Sequence, residues 1–172
     1  MKTALLVIDM QLGNFIGDDP IVDADSLLNQ VSKLIEKARD AGTQIIYIQN
    51  SGDSGSPDEY GTSGWNIHPD IAPEKHDLVI EKKTPDSFHE TKLKDELDSR
   101  KIKRLVITGL QTEYCIDTTC RSAFSKGHEV VLVKDAHGTW NSVLTATQII
   151  NHHNELLGSW FAKLSTVEDL LF

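Results

Sequence analysis

The sequence predicts a three-layer α/β/α fold, a six-stranded parallel sheet with helices on both faces. Three observations carry that prediction. Six short apolar runs recur along the chain, segments of helical period separate them, and the 172 residues suffice for one full core and leave little room for a second.

The first run, Ala4–Ile8 in MKTALLVIDMQ, stops at Asp9 and lacks a small-residue cleavage site, so it reads as a strand and not as a signal peptide. Leu27, Leu28, Val31, Leu34, Ile35 and Ala38 then recur at helical spacing, and Gly42 supplies a stop. Gln44–Ile48 is the second strand. Ser51–Lys75 has no period and is rich in Gly, Ser and Pro, the signature of a functional loop or of a surface insertion. Leu78–Glu81 is the third strand, and Leu93 and Leu97 with Ile102 mark a second helix. Leu105–Thr108, a helix over Ile116–Phe124, and Val130–Val133 follow. Leu144, Ala146, Ile149 and Ile150 mark the next helix, Phe161–Leu164 the sixth strand, and a last helix is expected near Thr166–Leu171.

Hydrophobic content of 39% and charged content of 25% are values of a globular chain, read here as a single domain over residues 1–172. Seventeen basic against 26 acidic side chains give a net charge of −9, with no Lys/Arg run that would hold a polyanion, so nucleic acid is excluded as a partner. No stretch approaches the roughly 18 apolar residues of a membrane span, so no membrane partner is expected. Cys115 and Cys120 lie five apart, which a helix turns about 140° away from each other, so no disulfide between them is expected. A reducing cytoplasm suits two free thiols.

The chemistry centres on Cys115, in LVITGLQTEYCIDTTCRSAF, where a strand gives way to a helix. Unpaired N–H groups and the positive dipole end are expected to lower the thiol pKa from about 8.5. In an open α/β sheet ligands bind at the carboxyl ends of the strands. Asp9 ends the first strand and Lys82 follows the third, so both share an edge with Cys115. Taken alone, Asp9 equally well caps a turn and Lys82 equally well solvates a strand end. Together they allow Asp9 to take the thiol proton and return it to a leaving amine, while Lys82 stays cationic, favours the thiolate and holds Asp9 in place. Full ionisation of such a thiol at pH 7 gains only roughly thirtyfold, or about 2 kcal/mol. Positioning and an oxyanion hole must supply more, and backbone N–H groups in Gln111–Cys115 are the natural donors.

The strings LLVIDMQ, IEKKTPDSF, VITGLQTEYCIDTTCRSAFSKGHEVVLVKDAHGT and IINHHN, in order over essentially the whole chain, resemble the isochorismatase-like cysteine hydrolases, the superfamily that also holds nicotinamidases. The resemblance implies an Asp-Lys-Cys triad at Asp9, Lys82 and Cys115; Lys82 is preferred to Lys83 because the family's lysine stands six residues before an aromatic, here Phe88. It implies the strand order 3-2-1-4-5-6. It implies a cis peptide at Leu110–Gln111, with the N–H groups of Gln111 and Cys115 forming the oxyanion hole. It also implies a homo-oligomer, a dimer or tetramer. Nicotinamidases hold a metal through an Asp-x-His pattern after the second strand. Here that stretch reads IYIQNSGDSGS, with Asn50 at the ligand position and only His68 and His76 beyond, so neither a metal nor another cofactor is expected. Isochorismatases proper can lack the cysteine, and Cys115 argues against that activity.

The expected function is hydrolysis of a small amide or related carbonyl compound through a thioester, without metal. The alternatives are nicotinamidase or isochorismatase activity proper, a doubly wound ligand-binding module, which the lack of a glycine-rich phosphate loop disfavours, or a non-catalytic oligomeric scaffold. Phe15, Trp65, Tyr114 and His137 are the expected pocket walls around a small-molecule substrate. Cys120 reads as a buried small hydrophobe, His152 and His153 as surface or interface residues, and Phe88 and Trp140 as structural.

Overall fold

The computed structural model describes residues 1–172. Strand β1 (Thr3–Ile8) is buried from Ala4 to Ile8 and pairs in parallel with β2 (Gln44–Asn50) on one side and β4 (Arg104–Gly109) on the other. β3 (Leu78–Lys82) extends the sheet beyond β2, and β5 (Glu129–His137) and β6 (Lys163–Ser165) extend it beyond β4. The order is 3-2-1-4-5-6, all parallel.

The near-continuous apolar sequence of β1 follows from its central place. Successive side chains point to opposite faces, and here each face meets helices. Leu5 and Val7 pack with Val31, Leu34 and Ile35 of α1 (Ala24–Asp40), while Ala4, Leu6 and Ile8 pack in a second core. That core is closed by Leu93 and Leu97 of α2 (Leu93–Ser99), Cys120 and Ala123 of α3 (Asp117–Ser125) and Leu157 of α4 (Ala146–Trp160). No helix is long and apolar enough to cross a membrane.

Several boundaries differ from the sequence reading, those of α4, β6 and the last segment among them. α4 starts after Leu144 because Thr145 and Gln148 form a capping box, and the half-exposed Leu144 stays outside. The sixth strand begins at Lys163; Phe161 instead closes α4, its N–H donating to Leu157 O at 2.8 Å. Thr166–Leu171 forms no helix. Thr166 and Asp169 close a single turn, and Val167 and Leu170 fill the α1 core from it. A helical period over so few residues does not distinguish a turn from a helix.

The aperiodic segment after β2 is stitched along residues 10–13: Leu12 N donates to Asn66 O, Gly13 N to Gly64 O, and His68 N to Met10 O, at 2.8–2.9 Å. Gly13 is required there, since a Cβ would lie 1.8 Å from Pro57 O. The segment therefore sits beside the carboxyl end of β1.

Candidate active site

The strand ends place the reactive groups. Asp9 follows β1 directly, its N–H donating to Ile48 O at 2.8 Å and its carbonyl accepting from Asn14 Nδ2 at 2.9 Å, which fixes the backbone at φ 52°. Lys82 is the last residue of β3, and alternation buries it while Glu81 and Lys83 point to solvent. Cys115 lies in a π-type turn over Thr112–Ile116 that precedes α3, with Ile116 N donating to Gln111 O at 3.1 Å. β4 must end close against β1 for this turn to reach the site, and Gly109 permits it: at φ 115° a Cβ would stand 2.1 Å from Ile8 O.

Lys82 Nζ lies 2.8 Å from Asp9 Oδ2, 3.2 Å from Cys115 Sγ and 3.3 Å from Asn50 Oδ1. An ammonium has three donors, and each takes one acceptor. Asp9 and Lys82 are only 6% and 2% exposed, and Asp9 Oδ1 has no hydrogen-bond partner. Burial raises the Asp9 pKa against the opposing charge of Lys82. Burial alone would lower Lys82, but the charges of Asp9 and Cys115 hold it above the ordinary lysine value.

The thiol departs from the sequence expectation. Burial, then the negative charge of Asp9, push Cys115 up to about 12, not down. A helix terminus is worth roughly 0.3–1 kcal/mol at an exposed site, and α3 begins two residues beyond Cys115. Desolvation and a neighbouring carboxylate outweigh it. Losing the thiol proton to water would leave two anions against one ammonium. Passing it to Asp9 keeps the charge of the centre unchanged.

A cavity of about 310 Å³ opens over these groups, with Asp9 and Cys115 in its wall together with Leu110, Gln111 and Trp140. Asn14, Asn50, Pro57 and Asp58 complete it. The Leu110–Gln111 peptide is cis, and the Gln111 N–H donates to no backbone or side-chain acceptor.

Of the four expected pocket residues, none lines this cavity. Phe15 packs edge-on against His68, with ring centroids 5.1 Å apart. Trp65 turns its ring to Tyr60, and its carbonyl accepts from Gln11 and Gln49. Tyr114 adjoins Cys115 in sequence, but the turn directs it outward, 55% exposed. His137 is buried under the turn. The residues missed in the sequence are Asn14, Pro57 and Asp58, which come from loops, and Trp140, which was read as structural; loop side chains carry no periodic signal. The downstream histidines do not converge on Asp9, Lys82 and Cys115: His68 caps the turn at Pro69–Ile71, and His76 lies at the other end of the sheet beside Gln44. Asn50, at the position expected of a metal ligand, commits its oxygen to Lys82 and its amide to Asp58 at 2.6 Å, so the residues present do not fit a metal.

Residues 3–169 match the family model of the isochorismatase domain. The chain belongs to the isochorismatase family. Among its relatives, a streptothricin hydrolase of Streptomyces noursei is 36% identical over 80% of this chain and 55% of its own length. A second streptothricin hydrolase is covered over 50%, so the chain spans about half the length of these curated relatives. The isochorismatase family protein YddQ of Bacillus subtilis is 32% identical over 99% of each chain. The crystal structure of an isochorismatase from Pseudomonas putida matches with a TM-score of 0.94 at 25% identity, over 98% of this chain and 90% of the other.

In this isochorismatase-family chain His137 supports the turn that carries Cys115 from below. Asn154 Nδ2 donates to Lys134 O, so Asn154 Oδ1 accepts from His137 Nε2–H at 2.9 Å. Thr112 Oγ1 lies 2.9 Å from His137 Nδ1 and also 2.9 Å from Gly138 O, and its one proton is shared between these two acceptors. Burial lowers the His137 pKa to about 4. The unfolded chain takes up this proton near pH 6.5, so the stability His137 contributes is complete above that pH and is lost as pH falls towards 4. Urea unfolding at pH 6.5 and 4.5 should show the wild type losing about 2–3 kcal/mol more than His137→Asn. Equal losses would refute the buried neutral imidazole.

Proposed function

We propose that the protein is a cysteine amidohydrolase that cleaves the C–N bond of a small non-peptide amide, or a related carbonyl compound, with Asp9, Lys82 and Cys115 as its catalytic groups. The observation that carries this reading is the placement of Lys82 Nζ within reach of both Asp9 Oδ2 and Cys115 Sγ, two residues that line a cavity. The hydrolase names of its relatives support it.

In this reading the thiol proton moves to Asp9 as sulfur attacks the substrate carbonyl. Burial has made Asp9 more basic than an ordinary carboxylate, and the transfer creates no net charge beside Lys82. The oxyanion is held by the N–H groups of Gln111 and Cys115, each donor contributing about 10²–10³ in rate. Asp9 then returns its proton to the leaving nitrogen, the C–N bond breaks and a thioester remains. Water adds to the thioester with Asp9 as base, releasing the acid and restoring the thiol.

Intact-mass spectrometry after rapid quenching from an amide library tests the reading. The expected result is a mass increase equal to one acyl group, mapped to Cys115 and discharged by hydroxylamine. Turnover of an amide by Cys115→Ala at the wild-type rate would rule the reading out.

A further inference from the structure

A net charge of −9 disfavours anionic ligands unless a local basic group overrides it, and the cavity walls contain no Lys, Arg or His. They do contain Asp9 and Asp58. Asp9 is balanced by Lys82 at 2.8 Å, but the partners of Asp58 are neutral: Asn50 Nδ2 reaches its Oδ2 at 2.6 Å and Ser56 Oγ its Oδ1 at 2.8 Å. The charge of Asp58 is felt at Asp9, whose proton affinity it increases behind the larger effect of burial. Asp9 also keeps Oδ1, buried and without a partner, in the same wall. A second hollow of about 590 Å³ shares Asn50 and Asp58 with the cavity and adds Asp53 and Glu81 against one cation, Lys83. Trp140 supplies an aromatic wall, and an indole attracts a cation by about 0.5–2 kcal/mol.

We propose that the substrate carries a protonated amine or quaternary ammonium held by Asp58, with its acyl carbon at Cys115 and the rest of the molecule extending into the larger hollow. A carboxylate held by ammonium or guanidinium has the opposite requirement, and the walls offer it no partner. Low-dielectric walls lined by one sign of charge concentrate the field and select ligands by charge. The proposal rests on the cysteine-hydrolase reading above and names its substrate class.

The test uses three methanethiosulfonates, carrying a trimethylammonioethyl, an ethyl or a sulfonatoethyl group. In each reaction the Cys115 sulfur attacks the sulfenyl sulfur, a disulfide forms and methanesulfinate leaves. Cys120 is fully buried, and peptide mapping assigns the label. With rates normalised to a small thiol, the ammonium reagent should label Cys115 about tenfold faster than the sulfonate. Asp58→Asn should narrow that ratio at least about threefold, and in the wild type 0.5 M salt should do the same by screening. A reactive Cys115 that does not distinguish the three charges, or a ratio that neither Asp58→Asn nor salt alters, overturns the cation proposal alone. Failure of all three reagents to label Cys115 overturns it together with the cysteine-hydrolase reading.

Discussion

Cys115→Ala should lower amide turnover by about 10⁴–10⁶-fold, the scale on which loss of a covalent nucleophile acts. The substitution leaves Asp9 and Lys82 paired at 2.8 Å and removes only one acceptor, Sγ, from the ammonium. Stability should therefore fall by no more than about 1–2 kcal/mol, and urea unfolding separates the two effects. Cys115→Ser should be nearly as inactive, because a hydroxyl gives up its proton far less readily than a thiol. The activity loss should be equal across pH 6–9. With the resting thiol pushed up to about 12, the reactive thiolate is not generated by bulk ionisation, so wild-type turnover should not climb tenfold per pH unit through that range. A tenfold climb per unit would show that the proton leaves to solvent and not to Asp9.

Lys82→Met should destabilise the fold by about 3–5 kcal/mol at pH 7.5, as expected when one member of a buried ion pair is removed. Asp9 would be left as a buried carboxylate without its cation, and its pKa, already raised by burial, would rise further. For a carboxyl whose folded pKa lies above its unfolded value of about 3.9, stability is fully present below the unfolded value and is lost as pH rises through the folded one. The deficit of Lys82→Met should therefore shrink as pH falls from 7.5 to 5. Asp9→Asn combined with Lys82→Met should recover most of it, since no charge then remains to be buried. Denaturant midpoints at the two pH values check both statements; a deficit below about 1 kcal/mol that is independent of pH would mean that Asp9 is not ionised in the native protein.

Much of the fold was legible because β1 and its neighbours are buried on both faces, which writes apolar runs such as ALLVI and LVITG into the sequence. The convergence of Asp9, Lys82 and Cys115 was legible for the same reason, since strand ends in a parallel sheet share an edge. What failed depended on local competition. α3 starts at Asp117 because a π-type turn intervenes, and Leu144 lost its place to the Thr145 cap. The loop side chains of the cavity were not legible: Pro57 and Asp58 arrive from an aperiodic segment whose path is set by hydrogen bonds to residues 10–13. The direction of the thiol shift was misread because a helix terminus is visible in a sequence, whereas the burial that opposes it appears only in three dimensions.

Asp9 follows β1, Cys115 lies in the turn beyond β4, and the ammonium that joins them is the last residue of the edge strand β3. Each pairing in this sheet is parallel and spans a long crossover, so the chain must close several large loops before any two of the groups meet. The centre is therefore a late-assembling object. During refolding, the Asp9–Lys82–Cys115 arrangement should be complete only once β3 docks onto β2, because a molecule whose interior has collapsed but whose edge strand is still free carries the thiol and the carboxylate without the cation.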